Sequence, residues 1–335
     1  MRRQEIRLAL PSKGRLAEDA LGLLANAGLE VYKPNPRQFQ ATIPSLPDLT
    51  VLFQRAGDIA ASLYDGTVDF GITGWDVVAE KGGGNGKVLP LYKELGFGAC
   101  TLNVIVPEGW SEVRWMADLV TRQQSLGRPL RVATKFPVCT RAFFQKHGLP
   151  EVQLISAEGT LEIAPTIGYS DLIVDLVSTG TTLRDNHLRP LEDGLILESQ
   201  ACLVANRKAL ETSPEVLEVA KKLIEFIVAH LRATHNVAIF ANIRGESPQA
   251  IAERMLPKGI IGGLQGPTIS PLIARDGGDW YAVNIIVPKG QLPLAISELR
   301  SIGGSGVVVI PVMYIFEEEP EAYRRLLEEL SPSSP

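Results

Sequence analysis

Up to about residue 210 the chain alternates short apolar runs with amphipathic stretches, and this alternation restricts the fold more than any other feature. IRLALP (6–11) reads as a strand, followed by a helical pattern from about Leu16 to Ala27 that stops at Gly28. DLTVLFQ (48–54) is a second strand, DIAASLYDG (58–66) a short helix closed by Gly66, and VDFGITG (68–74) a strand entering the helical WDVVAEK (75–81). GGGNG (82–86) is a flexible loop, and VLPLYKEL (88–95) and CTLNVIVPE (100–108) are strands. A polar, helical stretch between Glu108 and Gly127 precedes a second set. That set holds RVATKF (131–136), a helix around TRAFFQKHG (140–148), VQLISAE (152–158), the helical LEIAPTIGY (161–169) and the apolar DLIVDLV (171–177). ACLVANRKAL (201–210) reads as a returning strand. Strands that alternate with helices belong to an α/β architecture, and the late return suggests two lobes with a hinged cleft.

The last third follows another order. VLEVAKKLIEFIVAHL (216–231) carries apolar residues at helical spacing. Beyond it come strand NVAIFANI (236–243), helix SPQAIAERML (247–256), strand TISPLIA (268–274), strand WYAVNIIVP (280–288), helix LPLAISELRSIG (292–303) and strand VVVIPVMYIF (307–316). That β-α-β-β-α-β order is the ferredoxin-like unit. The expected divisions are a first lobe over 1–105 and 188–222, a second lobe over 106–187, and a C-terminal domain over 225–320.

Composition removes several function classes. A formal net charge of -5 gives no chain-wide surface for nucleic acid. Cys100, Cys139 and Cys202 have no paired spacing, so neither a disulfide framework nor a zinc site is indicated. His147, His187, His230 and His235 likewise lack metal-ligand spacing. The apolar stretch of the opening MRRQEIRLALP falls short of the ~7–15 residues of a signal peptide. No run approaches the ~18 apolar residues of a membrane span. A cytoplasmic protein is expected, with neither membrane nor nucleic acid among its partners.

The chemistry concentrates where DLIVDLV ends. Asp175 is followed by Ser178, Thr179, Gly180, Thr181 and Thr182, and then by the expected start of a helix. Backbone N–H groups and hydroxyls around a glycine can cradle a phosphate, and an acid just before them can accept from ribose hydroxyls or stabilise a cationic sugar. The same residue types also make an ordinary helix cap. The strand that precedes them, with an acid placed first, favours the cradle.

DLVSTGTTL (175–183), together with LPSKGRL (10–16), VDFGITGWDVV (68–78) and GTLEIAPTIG (159–168), resembles ATP phosphoribosyltransferase in its long form, the first enzyme of histidine biosynthesis. The likeness runs over essentially the whole chain. It implies an α/β fold: a two-lobed, periplasmic-binding-protein-like catalytic core and a C-terminal ferredoxin-like, ACT-like regulatory domain. The reaction it implies is Mg2+-dependent attack by N1 of ATP on C1 of phosphoribosyl pyrophosphate, releasing pyrophosphate. Histidine would inhibit, and the enzyme would assemble as a homo-hexamer built from dimers.

Carried onto this sequence, the resemblance gives Ser178 to Thr182 the 5′-phosphate and sets Asp175 and Glu162 against the ribose hydroxyls. Lys13 and Arg15 would meet pyrophosphate or the ATP phosphates, and Arg55 and Asp58 would lie at the same cleft edge, with Arg55 near ATP. The chain has DIAA (58–61) where the family commonly has DIP. Gly71 and Gly74 would admit a ligand close to the backbone and Thr73 would add a hydroxyl, a tight strand-to-helix turn being the equal alternative. Asp175, Glu162 and Arg15 are the expected catalytic residues.

Val174 precedes Asp175 where salvage-type phosphoribosyltransferases place a second acid, which argues for the two-lobed fold and leaves no dense protein ligand set for the metal. Thr268, Asp276 and Ser301 are the expected effector contacts, with dimerisation as the other role open to that domain. A non-catalytic two-lobed binding protein or an ATP-sensing protein on the same scaffold are the rival functions.

Overall fold

The computed structural model describes residues 5–35, 37–82, 86–156, 159, 161–274 and 277–331. Its contacts divide the chain into two compact units: Leu29–Lys221 with the segments before Ala25 and after Ala322, and Lys222–Glu321 with Asn26–Gly28. No helix among the described residues is long and apolar enough to cross a membrane.

In the first unit the chain runs β1 (Ile6–Pro11), α1 (Arg15–Asn26), β2 (Gln40–Ile43), β3 (Leu46–Gln54), α2 (Ala56–Tyr64), β4 (Phe70–Gly74), α3 (Trp75–Gly82) and β5 (Val88–Tyr92). It continues through β6 (Cys100–Pro107), α4 (Met116–Leu126), β7 (Arg131–Thr134), α5 (Pro137–Lys146), β8 (Gln153–Ser156), β9 (Leu172–Val177), α6 (Thr181–Asp185) and β10 (Leu188–Ser199). β11 (Ala201–Asn206) and α7 (Arg207–Thr212) follow, and α8 (Pro214–Thr234) begins in this unit and continues in the second from Lys222. Two sheets form, a six-stranded one in the order β2-β3-β1-β4-β11-β5 and a five-stranded one in the order β10-β6-β9-β7-β8.

The central strands read as unbroken apolar runs because they are covered on both faces. Leu8, Ala9 and Leu10 of β1 are fully buried, as are Leu172, Ile173 and Val174 of β9. Each of these larger side chains contributes on the order of 1.5–3 kcal/mol by leaving water.

The sheets correct the expected lobe boundaries. β6 pairs with β9, and β10 pairs with β6, so 100–105 and 188–199 belong to the second lobe. The chain crosses between sheets within 93–99 and again at Gln200, whose carbonyl accepts from Trp75 N–H at 3.0 Å. An apolar strand such as β6 could serve either sheet, and only its pairing decides. β10 had no strand signature in the sequence because Pro190, Glu192, Asp193 and Gly194 interrupt its alternation; it tolerates them as an edge strand with register shifts at Pro190/Leu195 and Leu195/Leu197. β2, an edge strand paired with β3, also lay outside the sequence reading.

The second unit contains β12 (Asn236–Arg244), α9 (Pro248–Met255), β13 (Thr268–Leu272), β14 (Trp280–Pro288), α10 (Leu292–Ser301) and β15 (Ser305–Pro311). Its sheet order is β13-β14-β12-β15 and every pairing is antiparallel, the ferredoxin-like arrangement. Val237, Ile239, Ala241 and Ile243 alternate inward from β12, and Val283, Ile285 and Val287 from β14, onto Ile251, Met255, Ala295 and Leu299. The last helix, α11 (Glu321–Leu330), belongs to the first unit from Ala322 on.

One polar cluster fastens β7 to β9. Asp171, 9% exposed at its side chain, accepts from Arg128 Nη1 at 2.7 Å and Nη2 at 2.9 Å, and from Arg131 Nη2 at 2.9 Å and backbone N–H at 2.8 Å. Burial alone would push its pKa up, but the hydrogen bonds from Arg128 and Arg131 outweigh it and hold the carboxyl far below the usual range. The depressed pKa makes the stabilisation complete above the ordinary carboxylate value of about 3.9 and progressively lost as the pH falls below it. Asp171→Asn is expected to lower the unfolding free energy by about 2–3 kcal/mol near neutral pH. Urea unfolding at neutral and acid pH checks this: the gap to the parent protein should shrink in acid, and equal midpoints at neutral pH would mean the two arginines lose nothing with the carboxylate.

Candidate active site

β9 stays buried through Val174 and then delivers Asp175, half-buried, opposite Asn103 of β6. Asp175 Oδ1 accepts from the N–H of Leu176 at 2.8 Å. Burial pushes its pKa up, and the Glu162 carboxylate adds to the rise, while the Leu176 N–H and the charge of Lys135 oppose it. Glu162 sits half-buried in a short 3-10 turn, Leu161–Ile163, anchored by the fully covered Leu161. The Glu162 turn thus brings a second acid near Asp175, and its charge acts with burial against ionisation of Asp175.

The loop after Asp175 is open to a ligand. Ser178, Thr179, Thr181 and Thr182 are exposed, and Gly180 takes φ 70°, a left-handed conformation that glycine adopts without steric cost. Among the described residues the hydroxyls of this loop bond only to one another and to an arginine: Thr179 Oγ1 to Thr181 Oγ1 at 3.2 Å, and Arg184 Nη2 to Thr181 Oγ1 at 3.4 Å. None caps α6, which begins at Gly180 without a side-chain cap bond. The ordinary-cap alternative therefore has no support in the geometry.

In the first lobe, β1 and β3 run parallel with Pro11 opposite Gln54, and Ser12 N–H donates to Gln54 O at 2.8 Å. The two strands therefore release Lys13 and Arg55 from adjacent ends. Lys13, Arg15, Arg55 and Asp58 are all exposed. Arg15 faces Asp19 at 3.7 Å with its side chain 93% exposed, a pairing too solvated to hold it. Gly14, between Lys13 and Arg15, has φ 79°.

Thr73 departs from expectation. It is fully buried and its hydroxyl donates to Ala56 O at 3.3 Å, tying β4 to the start of α2, so it presents no group to a ligand. The neighbouring glycines are packing positions as well. A Cβ at Gly71 would lie 2.7 Å from Ile59 Cγ2, and one at Gly74 would collide with the Asp76 carboxylate.

α3 braces the two lobes at both ends. Asp76 N–H donates to Ser199 Oγ at 2.9 Å, and that hydroxyl donates to Asp76 Oδ1 at 2.6 Å. Glu80 accepts the N–H of Val138 at 2.8 Å and of Cys139 at 3.0 Å, occupying the first donors of α5. Beside this brace lies a cavity of about 550 Å3 lined by residues of both lobes, among them Trp75, Lys93, Cys100, Ser178 and Ser199. Its Trp75 ring carries the Lys93 ammonium 5.0 Å from its centroid. Neither Lys135 nor the Trp75–Lys93 pair had been singled out in the sequence; the KF of RVATKF, just past a strand end, was the available signal.

Among the described residues no group of three or more His, Cys, Asp or Glu could hold a metal ion. In the second unit a cavity of about 550 Å3 is lined by Thr268, Asn284, Arg232, Tyr314 and Glu317, among others. Asn284 Oδ1 is buried without a hydrogen-bond partner among the described residues. Ser301 is not part of that lining; its hydroxyl donates to Glu298 O at 2.7 Å in the last turn of α10. Asp276 lies outside the described residues.

Comparison with known proteins adds to this geometry. The family profile described as ATP phosphoribosyltransferase matches residues 55–232, and the profile described as HisG, C-terminal domain matches 233–314. ATP phosphoribosyltransferase 2, chloroplastic, of Arabidopsis thaliana is 43% identical over 335 residues, covering 98% of this chain and 81% of that protein. The ATP phosphoribosyltransferase of Bradyrhizobium diazoefficiens is 38% identical over 325 residues, covering 95% and 96% respectively. Among solved structures, the ATP phosphoribosyl transferase (HisG:HisZ) complex from Thermotoga maritima matches with a TM-score of 0.53 and 28% identity over 67% of this chain and 98% of that one.

Because burial raises the Asp175 pKa, its ionised form works against folding at neutral pH: the fold is favoured by the protonated group, and that favour is lost as the pH rises through the raised value. Asp175→Asn keeps an acceptor for Leu176 N–H and removes the charge. It is expected to raise stability by about 0.5–1 kcal/mol near neutral pH. Thermal melts of the two proteins check the sign, and a less stable variant would contradict it.

Proposed function

The chain belongs to the ATP phosphoribosyltransferase family, and from that membership we infer which of its own residues perform the transfer. The reaction joins ATP to phosphoribosyl pyrophosphate in histidine biosynthesis. The adenine N1 lone pair forms the new bond to C1 while the C1–O bond breaks and its electron pair leaves with pyrophosphate. Adenine gains one positive charge and pyrophosphate one negative charge. No base is needed, because that lone pair is free.

Such a displacement places cationic character on the sugar before the new bond is complete, so catalysis is positioning and electrostatics. Asp175 and Glu162 face the ribose hydroxyls and stabilise that charge. Ser178, Thr179, Gly180, Thr181 and Thr182 take the 5′-phosphate. Lys13, Arg15 and Arg55, with Asp58 beside them, meet the ATP phosphates or the departing pyrophosphate from the first lobe. The observation that carries this reading is the exposed hydroxyl loop that starts at Ser178, close behind the half-buried Asp175.

We take the metal that enzymes of this family require to be Mg2+. In this reading the hard cation keeps several of its waters and travels on the pyrophosphate oxygens. Histidine is the proposed inhibitor, seated in the cavity of the second unit where Thr268 and the unpartnered Asn284 Oδ1 meet it. The exposed Phe240, Val308 and Ile310 on the sheet of that unit suit it to assembly, and a homo-hexamer of dimers is the proposed state. A cytoplasmic location completes the reading.

The test is turnover of ATP and phosphoribosyl pyrophosphate with pyrophosphatase present, followed by the near-ultraviolet absorbance of the alkylated adenine. Product should form with Mg2+, disappear with a chelator, and be suppressed by histidine. Asp175→Asn should lower kcat about 100-fold or more, and Thr182→Ala should raise KM for phosphoribosyl pyrophosphate about tenfold. Unchanged turnover by Asp175→Asn would remove this acid from the mechanism.

A further inference from the structure

We propose that Lys135 is a further catalytic residue, a cation of the second lobe that contacts the pyrophosphate of phosphoribosyl pyrophosphate and takes up its charge as it leaves. β7 and β9 are parallel neighbours with Thr134 opposite Val174. Lys135 therefore emerges just past the end of β7 beside Asp175, which β9 still holds opposite Asn103 of β6. Asp175 faces the ribose hydroxyls in the reading above, on which this inference rests, and the 5′-phosphate lies further along the chain at Ser178 to Thr182. The substituent on C1 projects from the ribose end that carries the 2′-hydroxyl. A cation flanking Asp175 thus stands nearer to pyrophosphate than to the sugar phosphate.

The backbone around Lys135 is held still. Thr134 Oγ1 accepts from Phe136 N–H at 2.9 Å, and Phe136 O accepts from the Thr140 hydroxyl at 2.6 Å and its N–H at 3.0 Å. Thr134, Phe136 and Thr140 are buried, whereas Lys135 is exposed. A side chain presented from a rigid turn meets its target at lower entropic cost than one on a mobile loop.

Lys135 has no hydrogen bond or ion pair among the described residues, and its charge acts on Asp175. The other positive feature nearby, the first turn of α5, already gives the N–H groups of Val138 and Cys139 to Glu80. The ammonium of Lys135 is therefore the group free to receive an anion at this edge. In the displacement it stays protonated and donates to the oxygens that gain the C1–O electron pair, an interaction that strengthens as charge develops.

The experiment compares the parent enzyme with Lys135→Ala, Lys135→Arg and Thr181→Ala in turnover assays, with pyrophosphate and ribose 5-phosphate as inhibitors. Lys135→Ala is expected to lower kcat about 100-fold and to weaken pyrophosphate inhibition about tenfold. Inhibition by ribose 5-phosphate should stay within about twofold of the parent, and Lys135→Arg should recover most of kcat, since the charge is retained. If Lys135→Ala keeps its kcat and its pyrophosphate inhibition, or loses inhibition by both ligands equally, the assignment is overturned. Thr181→Ala reports separately on the underlying reading: ribose 5-phosphate inhibition left intact overturns the loop assignment, and with it the placement of pyrophosphate at Lys135. Melting temperatures accompany each variant, and Lys135→Gln repeats the measurement should the alanine variant fold poorly.

Discussion

The site depends on the burial of one strand. β9 lies between β6 and β7, and Leu172, Ile173 and Val174 are sealed from water. A strand in that position stays apolar while both neighbours cover it, so its acids stand where the β7 partner begins and ends. Asp171 before the run and Asp175 after it mark the two limits. The first is paired with Arg128 and Arg131 and secures the strand. The second accepts from one backbone donor among the described residues and has a raised pKa, a state that costs stability.

The second constraint is the crossing between lobes. Gln200 O, Ser199 Oγ and Glu80 hold α3 at its start and through its last turn. A helix of eight residues would be marginal alone, and its stability comes from these fixed ends. Because β4 runs straight into α3, the first lobe's contribution to the cleft is tied to the position of the second lobe's α5. The cavity lined by Trp75 and Ser178 is a consequence of that tie.

The chemistry of a residue type did not determine its use. VDFGITG has two glycines and a threonine at a strand end, a pattern equally suited to a ligand or to a tight turn. Gly71 admits α2 against β4, Gly74 admits the Asp76 carboxylate, and Thr73 spends its hydroxyl on Ala56. STGTT has the composition of a helix cap, yet its hydroxyls leave the backbone of α6 alone. Composition was the same kind of signal in both segments, and burial separated them.

From the sequence by itself came the alternation of strands and helices, the β-α-β-β-α-β order of the second unit, the acid and hydroxyl loop, and the likeness that named the chemistry. These are local: each is written in consecutive residues whose period, apolar content and glycines act within one element or one turn. Tertiary structure alone decided that β6 and β10 join the second sheet, that Thr73 faces inward, and that Lys135 stands beside Asp175. Strand partners are chosen by hydrogen bonding and burial between segments far apart in the chain. A residue's neighbours across a sheet therefore exist only once that choice has been made.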